Sequence, residues 1–312
     1  MFKYAFDNKR YHTWNYYLRN TFGEKVFKVS INAGFTCPNI DGKVAYGGCT
    51  YCSKIGSGDF AGNPKDDLIK QFYDIKDMMH KKWPKAKYIG YFQAFTNTYA
   101  PLDILKEKYE TILSLDDVIG LSISTRPDCL EDDVLDYLEE LNKKTNLWVE
   151  LGLQTIHDST SKIINRGHDY QTFLDGLEKL NKRNIKVVVH IINGLPGETY
   201  DMMMQTAKEV SKMKIDGVKI HLLHVIKNTP MEKMLEKGML NPLTQDEYIN
   251  LVCDQLEILP PEMIIHRLTG DGKRDELVAP LWSLKKWKVL NQIDDTLKSR
   301  NSYQGIKYKK SF

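Results

Sequence analysis

Short apolar runs alternate with amphipathic helical patterns along most of this chain, and that alternation limits its fold more than any other feature. The strand-like runs fall at 26–31, 88–95, 118–124, 147–153, 187–192 and 218–226, each rich in β-branched or aromatic residues. Continuous apolar runs of this length suit strands buried on both faces, as in a parallel sheet. Between them, residues 66–82, 102–113, 131–142, 169–183 and 200–213 carry helical periodicity. Pro64, Pro101 and Asp128 sit near helix starts, where a proline or a capping acid fits. Six strand–helix units in series predict an α/β fold, a parallel sheet with helices outside it. Later come a helical stretch at 245–259, a further strand-like run at 263–268 and a basic helix at 284–297. In a parallel barrel, ligands bind at the carboxyl ends of the strands, so chemistry is expected in the residues that follow each run.

The first run leads into Cys37, Cys49 and Cys52, a C-x11-C-x2-C spacing in a glycine-rich loop. Three thiolates can hold three irons of a cubic [4Fe–4S] cluster and leave the fourth iron open to a small molecule. A structural zinc normally wants four closed protein ligands. No fourth Cys or His lies within the loop, and His12 and His80 are the nearest histidines on either side. The spacing by itself leaves a cluster, a zinc site and plain thiols all open. Cys129 and Cys253 read as buried or incidental thiols. Five cysteines, an odd count, with no secretory-type apolar stretch at the N-terminus, argue against a disulfide framework and for a reducing, cytoplasmic compartment. No stretch approaches the roughly 18 apolar residues of a membrane span, so no membrane association is expected.

The net charge of +3 is unevenly placed: residues 1–36 carry +4, residues 281–312 carry +6, and the middle carries −7. Both basic ends are interleaved with aromatics, among them Tyr4, Trp14 and Tyr17 at the front and Trp282, Trp287 and Tyr308 at the back. Cations that neutralise phosphates beside rings that stack on bases suit a nucleic-acid partner. Solvated tails with aromatics packed onto the domain give the same composition.

Polar residues recur at the ends of the apolar runs, where they are costly unless partnered or used. Tyr99 follows the second run and Ser124 ends the third; Glu150 and Gln154 lie on the fourth, with Arg166 beyond it. His190, Asn193 and Gly194 lie on and just after the fifth, and Lys219 and His221 on the sixth, two apart and so on one side of a strand. Any one of them is more often a satisfied core residue. Convergent polar groups at consecutive strand ends read as a site.

With these residues the chain resembles a radical S-adenosylmethionine (SAM) enzyme, most similar to the YhcC/YtqA group, relatives of the radical domain of the Elongator catalytic subunit. The resemblance runs from Lys28 to about Asn291. It rests on the cysteine triad, Glu150-Leu151-Gly152-Leu153-Gln154, the turn at 194–199 and His266-Arg267-Leu268-Thr269-Gly270-Asp271. Most members have C-x3-C-x2-C; the wide first spacing is shared by the Elongator-like branch, and the usual Gly-Gly-Glu after the second strand is absent. The resemblance implies a partial (β/α)6 TIM-like barrel at 25–240, a basic aromatic extension at 1–24 and a C-terminal extension at 241–312 packed on the barrel. It implies that Cys37, Cys49 and Cys52 ligate a [4Fe–4S] cluster whose open iron chelates SAM. Tyr51 would lie against the adenine, with Asn193 and the Gly194 turn also at the cofactor; Ser124, Glu150 and Gln154 would lie at the ribose or amino group, and Arg166 would pair with the methionine carboxylate. Tyr99, His190, Lys219, His221 and Arg267 would meet the substrate. The implied activity is reductive cleavage of SAM to a 5′-deoxyadenosyl radical that takes hydrogen from the wobble-uridine 5-side chain of tRNA, for example in converting carboxymethylaminomethyl to aminomethyl uridine. A flavodoxin- or ferredoxin-type electron donor is implied as a partner. The alternatives are a radical SAM enzyme with a small-molecule or peptide substrate, and a non-enzymatic zinc or nucleic-acid-binding module.

Overall fold

The computed structural model describes residues 2–309 apart from 57, 59 and 82. Thr13 caps the first helix, α1 (Trp14–Phe22), its hydroxyl accepting from the Tyr16 N–H, and the chain then enters β1 (Val26–Ile31). The strand–helix alternation follows: α2 (Leu68–His80), β2 (Lys87–Phe92), α3 (Leu102–Leu113), β3 (Val118–Thr125), α4 (Asp132–Lys144) and β4 (Asn146–Gln154). Next are α5 (Asp158–Ile163), α6 (Tyr170–Lys182), β5 (Lys186–Asn193), α7 (Tyr200–Val210) and β6 (Gly217–Leu222). The chain ends with β7 (Val225–Ile226), α8 (Pro230–Glu236), α9 (Gln245–Ile258), β8 (Ile264–Arg267), β9 (Leu277–Ala279) and α10 (Lys286–Ser299). The predicted last residue of α2, Lys82, lies outside the described residues.

Among the described residues, seven strands form one sheet in the order β1-β2-β3-β4-β5-β6-β8, every neighbouring pair parallel. This is the curled sheet of a partial barrel, as expected, with one strand more than the six of the sequence reading. The added strand is the run at 263–268: Gly217 and Val218 pair with Ile264 and Ile265, so the C-terminal segment supplies an edge strand as well as packing. The run at 218–226 divides. Its first part is β6, and its end, β7, leaves the sheet to pair antiparallel with β9.

Helices cover the outer face through a continuous apolar core that includes Leu105, Tyr109, Leu138, Phe173 and Leu180. The inner face is layered. At the amino ends of the strands, Trp148, Val188 and Ile264 pack with Trp14 and Tyr17 of α1. Trp14 stacks on His266 at 4.1 Å and meets Trp148 edge-on at 5.0 Å. The Ile265 N–H donates to the His12 carbonyl at 2.8 Å, tying the N-terminal segment to the edge strand. Helix α1 therefore plugs the bottom of the barrel, and the front aromatics Trp14 and Tyr17 serve packing. Above this plug the inner face turns polar. No helix is long and apolar enough to cross a membrane among the described residues.

Candidate active site

A cavity of about 260 Å³ opens at the carboxyl ends of the strands, with Cys37, Cys49 and Cys52 on its wall and Glu150, Lys219 and Arg267 deeper in. Strand alternation decides which side chains reach it. Every strand from β1 to β6 contributes to a belt around Glu150. Its Oε1 accepts from Lys28 Nζ at 2.5 Å and Ser122 Oγ at 2.7 Å. Its Oε2 accepts from Tyr91 Oη at 2.9 Å and His190 Nε2 at 2.7 Å, and pairs with Lys219 Nζ. Lys219 also donates to Tyr91 Oη at 2.9 Å, as does Ser124 Oγ at 3.0 Å.

Burial sets the electrostatics of this belt. It would raise Glu150, but Lys219 and Lys28, with His190, hold the carboxyl well below its usual range. Burial pushes the Lys219 ammonium down to about 7 despite Glu150. It pushes His190 to about 4, aided by the Lys219 charge, so at neutral pH His190 is uncharged and donates through Nε2 to the carboxylate. His221, whose ring centre is 5.1 Å from that of His190, is also held well below its ordinary value, first by burial and then by its neighbours His190 and Arg267.

The cysteine loop is pinned to the turn that follows α5. Asn165 Nδ2 donates to the Gly48 carbonyl at 2.8 Å and to the Tyr46 carbonyl at 3.1 Å, and the Thr50 N–H donates to the Ile164 carbonyl at 3.0 Å. Gly167 is required there: its φ is +77°, and a Cβ would stand 2.4 Å from Asn39 Oδ1. Asn39 Nδ2 and Arg166 Nη1 point at Cys49 Sγ, at 3.5 and 3.8 Å. The Cys49 thiol is held well below the ordinary thiol range, first by its hydrogen bond with Cys52; burial opposes this, and Arg166 and Arg126 lower it further. Cys52 is raised, first by Cys49 and then by burial. Arg166 Nη2 donates to the Gly152 carbonyl at 2.8 Å, and a Cβ on Gly152 would stand 2.6 Å from that nitrogen. Arg166 Nε is buried without a hydrogen-bond partner among the described residues. Arg126 donates to the Arg166 carbonyl at 2.8 Å and grips Asp128 with two bonds, at 2.9 and 2.7 Å.

This donor set fits a [4Fe–4S] cluster. Three cysteines face one cavity, with N–H donors and cationic side chains beside the sulfurs. Among the described residues no three His, Cys, Asp or Glu side chains gather tightly enough to share one ion. A lone zinc needs its ligands around one centre, whereas a cube takes each sulfur on a different iron. Cys129 and Cys253 lie elsewhere and are buried, and burial pushes both thiols up to about 12.

Most residues expected at the site meet in this cavity. Tyr51, Ser124, Gln154 and Arg166 line it near the cysteines, and His190, Lys219, His221 and Arg267 line its deeper wall. Gln154 ends β4 at φ +72°, a left-handed conformation that a non-glycine residue adopts at a cost. Glu150 lies there too, but its oxygens are committed to the belt and not free for a ribose hydroxyl.

Three expected residues are not brought together with the rest. Asn193 exchanges two 2.9 Å hydrogen bonds with Gln255 of α9, because residue 193 faces outward where 190 and 192 face in. Gly194, at φ +86°, turns the chain away; its N–H donates to Met203 Sδ and its α-carbon faces Leu243. Tyr99 lies in a separate groove with Asp41 under the Lys43 ammonium, because Asn97 and Thr98 tie the preceding turn to β3. Lys28, Tyr91, Ser122 and Arg126 were not among the expected site residues. Lys28 carried a usable signal, a charge inside an apolar run, whereas Tyr91 looks like any core aromatic.

Comparison with known proteins agrees with this geometry. The profile of the Radical SAM superfamily matches residues 44–210, and that of the Radical_SAM C-terminal domain matches residues 215–299. Uncharacterized protein YtqA of Bacillus subtilis is 61% identical over 304 residues, covering 97% of this chain and 94% of that protein. A tRNA uridine(34) acetyltransferase of Methanocaldococcus infernus is 29% identical over 157 residues, covering 49% of this chain and 29% of that protein. Among solved structures, the archaeal Methanocaldococcus infernus Elp3 superposes with a TM-score of 0.66 at 19% identity, over 90% of this chain and 64% of that one, a likeness of fold. Radical SAM enzymes use a [4Fe–4S] cluster and SAM, and the cysteine triad at the mouth of a partial barrel is where this chain would hold them: it belongs to the Radical SAM superfamily.

Proposed function

We propose that this chain acts on the wobble uridine of tRNA, converting carboxymethylaminomethyl to aminomethyl uridine: a hydrogen atom and then one electron leave the carboxymethyl methylene, SAM being reduced in net to methionine and 5′-deoxyadenosine, and water cleaves the resulting C=N bond to release glyoxylate. The observation that carries this reading is a single cavity running from the cysteine triad to a buried belt of cations. When bound, the reduced cluster and SAM supply a 5′-deoxyadenosyl radical that takes hydrogen from carbon. The protein's part is to bind, orient and exclude water. Cys37, Cys49 and Cys52 hold the cluster. Arg166, with its unpartnered Nε beside Cys49, clamps the methionine carboxylate, and Tyr51 and Gln154 flank the nucleoside.

Two observations support the tRNA partner. One relative by sequence is a tRNA uridine(34) acetyltransferase. On α10, Trp287 is 76% exposed between Lys286 and Lys288, and Lys286 bonds Asp271 of the cavity wall at 2.6 Å, which ties an exposed ring and a basic segment to the element bordering the cavity. The electron donor would be a flavodoxin- or ferredoxin-type protein. The reading is tested by comparing tRNA nucleosides from a strain lacking the gene and from its parent. Carboxymethylaminomethyl uridine should accumulate at the expense of its aminomethyl derivatives; identical nucleoside profiles would contradict the proposal. Within it, Arg166→Ala should weaken SAM binding tenfold or more at unchanged iron content, as loss of a charge-assisted bond requires; unchanged affinity would show that the clamp lies elsewhere.

A further inference from the structure

The belt holds more positive charge than it answers. Lys28 and Lys219 both pair with Glu150. Arg267, in register with Lys219, lines the same cavity and makes no ion pair or hydrogen bond among the described residues. His221, two residues beyond Lys219 on β6, keeps a buried Nε2 without a hydrogen-bond partner among the described residues. Other acids on the cavity wall are engaged: Asp271 with Lys286 at 2.6 Å and Glu276 with Lys273 at 3.9 Å. Glu150 therefore answers Lys28 and Lys219, while Arg267 on the same cavity wall has no acid paired with it among the described residues, a costly arrangement unless an anion completes it.

We propose that Arg267 and His221, backed by Lys219, form a subsite for a carboxylate carried by the substrate. The planar guanidinium fork suits a planar carboxylate, and one added negative charge moves the belt toward balance. The inference rests on the function proposed above only for naming that carboxylate: a carboxymethylamino group ends in one and the aminomethyl product does not. The subsite would thus select substrate over product by binding the carboxylate that only the substrate carries. The carboxylate of SAM has its own partner in Arg166, at the cysteine end of the cavity.

The test uses the reconstituted, SAM-loaded protein and its Arg267→Gln, Arg267→Lys and His221→Leu variants, with iron content and melting temperature checking that each variant folds. Acetate is a probe that needs no tRNA. By calorimetry it should bind the wild type at least tenfold more tightly than the Arg267→Gln protein, with Arg267→Lys between them, and more tightly than inorganic phosphate does. With tRNA carrying carboxymethylaminomethyl uridine, Arg267→Gln should raise KM tenfold or more with little change in kcat, and should erase discrimination against the terminal amide of the same side chain. Should Arg267→Gln fail to fold, His221→Leu should show the weaker form of both effects. If the wild type acts on neither tRNA while acetate binding still depends on Arg267, the tRNA reading fails and the subsite stands. Equal acetate affinity in wild type and variants, tighter binding of phosphate than of acetate, or loss of SAM affinity on Arg267→Gln would each overturn it.

Discussion

Glu150 is the residue on which the interior of the barrel turns. It is 1% exposed and bonded by side chains from β1, β2, β3, β5 and β6. Replacing it with glutamine would leave Lys28 and Lys219 buried without a counter-charge, and removing one partner of a buried ion pair typically costs about 3–5 kcal/mol. Urea denaturation should show a loss of that order. Lys219 gives a pH signature. Its ammonium, ordinarily near 10.5, is pushed down to about 7, so between those values the unfolded chain binds the extra proton and stability rises with pH. Lys219→Met should flatten that rise, by up to about 1.4 kcal/mol per pH unit for one proton. Parallel pH series of denaturation curves check this, and identical slopes would contradict it. Glu150, His190 and Lys219 were legible in the sequence because each is a polar residue within an apolar run. Asn193 misled because the inward face of a strand is set by register, which one sequence does not reveal; His190 and Asn193 are three apart and face opposite ways.

At the scale of elements, α1 closes what the sheet leaves open. Trp14→Ala would remove the ring that covers His266 and Trp148 and should destabilise the fold by about 2 kcal/mol, less than a fully buried tryptophan because Trp14 is half-buried. A thermal melt checks the direction. The long strand–helix units were readable because their periodicity extends over several turns. Helices α5 and α8, of 6 and 7 residues, were not anticipated; they are too short to show a period. The run at 88–95 stops at Phe92 because Phe95 takes φ +60° and Asn97 then bonds the Ser124 carbonyl, bending the chain over β3 and carrying Tyr99 out of the site. The run at 218–226 looked unbroken, yet its last residues pair with β9, some fifty residues later, a contact that no local pattern announces.

For the whole molecule, the uneven charge of the sequence has two fates. Part of the aromatic front end is used up as the barrel plug, whereas Trp287 and Lys288 at the start of α10 stay exposed next to Lys286, which reaches Asp271 of the cavity wall. Binding of bulk tRNA should therefore weaken steeply between about 50 and 200 mM salt, and Trp287→Ala should weaken it further if the ring stacks on a base. A gel shift across salt concentrations reads both, and salt-independent binding would count against a phosphate-tracking surface. The partial barrel and the placing of the cysteine triad at the carboxyl ends of its strands were legible because alternation and sequence order are local. The positive belt was not, because it assembles from six strands and appears only when they are placed side by side. If Cys37, Cys49 and Cys52 hold a [4Fe–4S] cluster that cleaves SAM at the mouth of this cavity, the anaerobically reconstituted, chemically reduced protein supplied with SAM forms 5′-deoxyadenosine. A protein with about four irons per chain should release it, and the triple Cys→Ala variant should lose both iron and product; a fully loaded protein that yields none would show that the triad does not do this chemistry.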